Sequence, residues 1–275
     1  MPQRTRLPAI AIALAALCLL SPAPDGAHAG VIVQSDMTQE HRAQPGERYR
    51  GTIVLRNPGD TTAEAKLYQT DYGFDAEGRN DYGPPGQLPR SNAGWISLTR
   101  EVVTVPPKGT ERIDYEVKVP SGDQLSGTYW SMLMVEPIPE TSRESAADLP
   151  EGTTSVTQLL RFGIQLVTHI GSSGETALVF SNPQLVKENG KRLFAIDVEN
   201  TGQRWLRPSL WLELYSQSGN PVGKFEGAAT RLYPGTSARF RIDLGETPDG
   251  NYLGLVAADG TGDNLFGANV ELEIK

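Results

Sequence analysis

Side chains able to do covalent or metal chemistry are scarce in this chain. Its 275 residues hold 3 His and 1 Cys, and Cys18 and His28 fall in an N-terminal segment that reads as a cleaved address. His41 and His169 remain as the imidazoles of the mature chain. No Gly-x-Ser-x-Gly elbow and no His-Glu-x-x-His pair sets a nucleophile or a metal beside a base. Asp123 and Glu136 are carboxylates that could act as acid and base, but nothing in the sequence sets their separation. Two Asp-rich stretches, Asp75 to Asp81 and Asp259 to Asn264, offer oxygen ligands at alternate positions. Both lack the closing Glu of a twelve-residue calcium loop and read as hairpin turns. Trp95, Trp130, Trp205 and Trp211 could form a carbohydrate platform, although Trp in a strand more often serves a core. The sequence therefore predicts no catalytic residue, no metal site and no cofactor. It describes a protein that acts by contact, without turnover.

The elements that position the contacts follow an address. Arg4 and Arg6 precede the apolar run Leu7 to Leu20, too short to span a bilayer, and Ala27-His28-Ala29 ends residues 1–29 as a small-x-small cleavage site. Leu17 stands before Cys18 where a lipoprotein signal has a small residue, which argues against a lipid anchor. Cleavage after Ala29 removes the sole Cys, so the exported chain must be stabilised without a disulfide. No later apolar stretch is long enough to form a stable membrane span. With 25 Lys plus Arg against 33 Asp plus Glu, the formal charge is -8, and no basic field exists to attract nucleic acid.

Beyond residue 30 the sequence reads as strands, with 29 Gly and 20 Pro supplying turns between them. Alternation marks Tyr49 to Arg56, Ala63 to Thr70, Trp95 to Val105, Arg112 to Val119, Thr128 to Val135 and Val156 to Ile170. The pattern returns over Leu193 to Glu199, Ser209 to Tyr215, Lys224 to Leu232, Ala238 to Leu244, Tyr252 to Ala257 and Asn269 to Ile274. Three landmarks recur in order. A strand runs into Asn57-Pro58-Gly59 and again into Asn200-Thr201-Gly202. Pro107-Lys108-Gly109-Thr110 parallels Pro234-Gly235-Thr236, and Gly127-Thr128-Tyr129 parallels Gly250-Asn251-Tyr252, where a Tyr hydroxyl can cap the corner of a sandwich. These repeats predict an all-β chain of two tandem immunoglobulin-like β-sandwich domains, at 30–171 and 172–275.

The first copy carries about twenty extra residues between its landmarks, a length that exceeds an ordinary connection. They fall at 71–94, where Tyr72, Tyr82 and Arg90 are candidate contacts. A second polar stretch, Pro137 to Thr154, precedes the last strand of the first unit. In that strand Val156, Leu160, Phe162, Ile164, Leu166 and Ile170 share one parity, while Thr157, Leu159, Arg161, Gly163, Gln165, Val167 and His169 form the more polar face.

The Pro-Pro-x-Gly turn, the strand ending at Pro120, the strand Gly127 to Glu136, the polar loop and the strand Val156 to Ile170 together resemble the first domain of the PapD-like periplasmic pilus chaperones. The resemblance covers nearly the whole mature chain in layout. It implies a periplasmic or otherwise exported chaperone that holds a pilin-like or other surface subunit by pairing a strand edge, with Val156, Leu160, Phe162, Ile164 and Leu166 on the partner-binding strand. It also implies two basic residues in the cleft that anchor a subunit's terminal carboxylate. Arg42 and Arg161 are the nearest candidates, because Gly163 stands where the family's Lys is expected. The net positive charge usual in the family is absent. Asp71-Tyr72-Gly73 and Leu125 to Leu133 are also similar to the envelope proteins associated with WxL surface proteins. That likeness implies an alternative role as a structural or peptidoglycan-binding protein using Tyr72, Tyr82 and Arg90.

Overall fold

A computed structural model describes residues 30–139, 160–260 and 264–275. The address segment and Val156 lie outside the described residues. Among the described residues, eleven strands occupy the first half: β1 Ile32–Val33, β2 Thr38–Ala43, β3 Arg48–Arg56, β4 Ala63–Thr70, β5 Gly73–Phe74, β6 Asn80–Asp81, β7 Ile96–Leu98, β8 Val102–Val105, β9 Thr110–Lys118, β10 Gly127–Ile138 and β11 Phe162–Ile170. One sheet has the order β1-β3-β9-β7 and the facing sheet β2-β11-β10-β4-β8. Alternation decides which side chains meet between them. Ile53, Leu55, Ile113, Val117, Leu67, Leu133 and Ile164 are all within 1 % of full burial, each stabilising the fold by about 1.5–3 kcal/mol.

The second half repeats the plan with β12 Leu178–Glu188, β13 Lys191–Asn200, β14 Ser209–Ser216, β15 Pro221–Glu226, β16 Ser237–Asp243, β17 Gly250–Asp259 and β18 Leu265–Ile274. Its sheets are β12-β13-β16 and β15-β14-β17-β18. Phe194, Ile196, Leu210, Leu212, Ile242 and Val256 fill its core. Both halves are immunoglobulin-like sandwiches.

The recurring Asn marks the same corner in each. Asn57 Nδ2 donates to the carbonyls of Thr61 and Val105 at 2.6 and 3.1 Å, and its Oδ1 accepts the Gly59 amide at 2.8 Å. Asn200 Nδ2 donates to the carbonyls of Arg204 and Leu232 at 2.7 and 3.0 Å, and its Oδ1 accepts the Gly202 amide at 3.0 Å. The Tyr landmark is kept in one copy only. Tyr252 donates its hydroxyl to the Pro248 carbonyl at 2.8 Å, whereas the Tyr129 ring packs on Trp95 and lies beneath Arg90.

Several strand limits differ from the sequence reading. Residues 95–105 break into a 3-10 turn, β7 and β8, and β15 ends at Glu226 rather than running to Leu232. β12 carries no strand signal in the sequence, because Pro183 interrupts its pattern. Its register shifts between Ser181 and Gln184, Asn182 takes φ 51°, and Asn182 Nδ2 donates to Asp197. β2 carries none either, since Thr-Gln-Glu-His-Arg-Ala has almost no apolar content. It is held through its underside: Tyr115 donates to Gln39 Oε1 at 2.7 Å, Gln39 donates to the Thr52 carbonyl, and His41 stacks on Tyr49 at 3.9 Å. Burial pushes the Tyr115 and Tyr49 hydroxyls up to about 12.

Part of the contact between the sandwiches is main chain. The Thr128 amide donates to the Gln203 carbonyl at 2.8 Å. Gly127, at φ +75°, has no room for a side chain, because a Cβ there would come within 2.0 Å of that carbonyl oxygen. Gly174, at φ +93°, would place a Cβ 2.7 Å from the Gly127 Cα. L-residues other than Gly disfavour both conformations.

Candidate functional site

β11 has two borders and they are used differently. β10 pairs with it antiparallel from Phe162 to Ile170, while β2 pairs with it parallel only from Gln165 to Ile170. The Gln165 amide donates to the Met37 carbonyl at 2.8 Å and the Gly171 amide to the Ala43 carbonyl at 2.9 Å. Odd-numbered residues therefore direct their backbone groups toward β2, so Gly163 and Arg161 direct theirs to the same side beyond its end. Among the described residues no strand pairs with that stretch.

Side chains along the strand sort by parity, and the apolar set faces inward. Ile164 and Leu166, on the strand that the family resemblance makes the partner-binding one, are 0 % and 2 % exposed in the chain's own core, and Phe162 packs against the same core. Each strand faces a sheet on one side, so alternate apolar residues are needed there first. Leu160 is half-exposed at 50 %. What β11 offers outward is backbone rather than an apolar row.

The more polar face meets the second sandwich. Val167 is buried with Trp130 and Tyr233, and Tyr233 donates its hydroxyl to Gln165 Oε1 at 2.5 Å. Burial pushes the Tyr233 hydroxyl up to about 12, against its contact with Arg231. Beside it, His169 Nε2 donates to Glu40 at 3.0 Å and its Nδ1 accepts the Thr128 hydroxyl at 3.1 Å, an arrangement that the neutral imidazole satisfies. Thr128 Oγ1 in turn accepts the Trp205 amide at 3.0 Å. Arg231 closes the circuit, reaching Glu40 at 2.7 Å with its guanidinium 4.1 Å from the Trp205 ring centre. Burial alone would raise the Glu40 carboxyl, but hydrogen bonds from His169 and Arg231 outweigh it and hold it low. Burial lowers the His169 imidazole despite Glu40. No sequence signal marked Arg231, Glu40 or Tyr233.

Arg42 and Arg161 are not brought together. Arg42 lies across from His169 and lines a cavity of about 200 Å³ with Arg204, Ser173 and Trp205. Arg161 pairs with Glu136 at 3.3 Å, eight residues up the strand from His169 and thus about 26 Å away.

The 71–94 insertion turns back onto the rest of the chain. Asp71 accepts the amides of Gly86, Gln87 and Leu88 at 2.9, 2.7 and 2.6 Å and the Ser91 hydroxyl. The Trp130 indole donates to the Tyr72 carbonyl, and the Ala76 amide donates to Ser237 of the second sandwich. Arg90 donates to the carbonyls of Ser126 and Thr128. Tyr72 and Phe74 join the buried cluster at the junction, while Tyr82, stacked on Tyr72 at 5.3 Å, stays 50 % exposed. A groove of about 930 Å³ separates this loop from the Pro234–Thr236 turn. The Asp75 stretch is a hairpin turn, its carboxylate accepting the Glu77 and Arg79 amides and the Arg79 guanidinium.

Strand order and junction together define a protein of two immunoglobulin-like sandwiches with a cleft between them and a β11 border that, among the described residues, β2 covers only in part. No family model matches the chain, and no curated protein does. Among solved structures it is similar to the class 5 fimbriae chaperone CfaA, with 11 % identity over 89 % of this chain and 99 % of that one and a TM-score of 0.48. It is also similar to a chain of the CsuC–CsuE chaperone and tip-subunit complex of Acinetobacter baumannii, with 14 % identity over 87 % and 97 % and a TM-score of 0.45. The Pseudomonas aeruginosa CupB2 chaperone aligns at 13 % identity over 89 % and 100 %, with a TM-score of 0.40.

Proposed function

We propose that the protein is an exported, non-enzymatic holding protein with a chaperone-like role, retaining an extended segment of another exported polypeptide by strand addition at the upper end of β11. The observation that carries this reading is the border at Arg161 and Gly163, directly beyond the end of β2 at Thr38, with which no strand among the described residues pairs. A strand lodged there gains main-chain hydrogen bonds and is kept from pairing with its own kind. The second sandwich, clamped on the face of the same sheet, keeps the border in place.

A photo-crosslinking residue substituted at Arg161 tests the reading in cells, with the same residue at Leu253, on the far sheet, as the control. Defined adducts with envelope polypeptides are expected at 161 and not at 253. Absence of adducts at 161 in a folded protein refutes the reading.

A further inference from the structure

β2 covers the lower border of β11 with little of what usually fixes a strand. Of its 6 residues Ala43 alone is buried, packed with Val119 and Ile170. Its ladder with β11 is parallel, the slightly less stable form. The remaining hold is made by polar side chains. Gln39 lies between the Tyr115 hydroxyl and the Thr52 carbonyl, and His41 stacks on Tyr49. Glu40 reaches His169 at 3.0 Å and Arg231 of the second sandwich at 2.7 Å. The chain on either side is anchored without β11. Upstream, Val31 is 0 % exposed in the core, the Gln34 amide donates to the Val54 carbonyl, and Ser35 Oγ accepts the Val54 amide. Downstream, the Gly46 amide donates to the Pro120 carbonyl. Residues 36–45 can therefore lift from β11 while both ends of the stretch stay in place.

Beyond β2, among the described residues, Arg161 and Gly163 alone direct backbone groups to this side, whereas strands in folded proteins commonly run about 3–10 residues. On the reading that this border takes a strand, as argued above, we infer that β2 is a removable cover. The partner, an extended segment of an exported polypeptide, displaces it and pairs with β11 from Arg161 to Gly171. Main-chain hydrogen bonds given up by β2 are replaced by those of the partner, so the exchange costs chiefly the side-chain contacts of β2 and the burial of Ala43. Because Glu40 is tied to Arg231, the second sandwich holds the cover shut.

The first test uses the native full chain, ¹⁵N-labelled. The amides of Gln165, Val167, His169 and Gly171 point toward β2, and those of Ile164, Leu166 and Thr168 toward β10. If β2 lifts by itself, the first set exchanges on the order of a hundredfold faster than the second. Glu40→Gln, which drops the ion pair to Arg231, should speed the first set about tenfold further and leave the second unchanged. Equal exchange of the two sets overturns the inference. The second test adds Thr38→Cys and Gln165→Cys to the chain with the photo-crosslinker at 161. These positions lie across from each other, at a strand spacing that a disulfide can bridge. Closing the bond should abolish the adducts at 161, and reduction should restore them. Undiminished adducts in the bonded form overturn displacement and leave strand addition standing. If 161 gives no adduct in the otherwise unaltered chain, strand addition itself falls.

Discussion

Trp130 of the first sandwich and Tyr233 of the second lie face to face, with ring centroids 4.7 Å apart and planes within 10°. Tyr233 is 1 % exposed and its hydroxyl reaches Gln165 on β11, so one side chain joins the second sandwich to the sheet that carries the open border. Tyr233→Ala should cost about 3–5 kcal/mol, as for other large buried rings. It should also split a single calorimetric transition into two. Tyr233→Phe keeps the stack but strands the Gln165 oxygen, at a cost of about 1–3 kcal/mol by urea unfolding.

Acid should loosen the same junction. The imidazole of His169 is lowered from 6.5 and the carboxyl of Glu40 from 4.5, so the unfolded chain binds protons at each before the folded one does. Stability from both is present above the unfolded values and is lost as pH falls, first below 6.5 and then through the Glu40 range. Arg42 and Arg231 face His169 as well and disfavour its charging. Heat unfolding between pH 8 and 4 should show this decline, and His169→Gln should flatten its upper part. An unchanged slope would assign the decline to other groups.

The paired corners offer a test of the internal repeat. Asn57 is 1 % exposed and Asn200 0 %, and each holds two carbonyls of its own sandwich. Asn57→Ala and Asn200→Ala should each cost about 2 kcal/mol by leaving buried acceptors unpaired. Since they serve separate cores, the double variant should equal the sum of the two within about 0.5 kcal/mol.

Asp71 organises the insertion. Burial would raise its carboxyl, but the Ser91 hydroxyl and the amides of Leu88, Gly86 and Gln87 hold it below the usual value. Asp71→Asn leaves one acceptor oxygen for these donors, and the amides of 86–88 should exchange about tenfold faster or more. In the native protein the same loop should loosen as pH falls through the depressed value.

Much of the layout was legible because burial imposes a period of two on any strand with one dry face. The recurring Asn was equally visible, as its hydrogen bonds depend on residues at fixed local offsets. The site was less so. β2 carries no apolar alternation because the Tyr115 hydroxyl, not a hydrophobic core, receives its Gln39 side chain. Val167 sits on a parity that reads as polar, and its burial depends on Trp130 and on Tyr233, 66 residues further along the chain. The excess length at 71–94 was evident from counting between landmarks, yet counting could not reveal that Arg90 and Tyr72 would be spent on internal contacts. Long-range pairs of this kind leave no local mark.

Where Gly127 and Gly174 meet, the spacing of the two halves is set by bare backbone. A methyl group at this pivot would act as a wedge, and each sandwich would work as a lever arm that magnifies the shift at its far end.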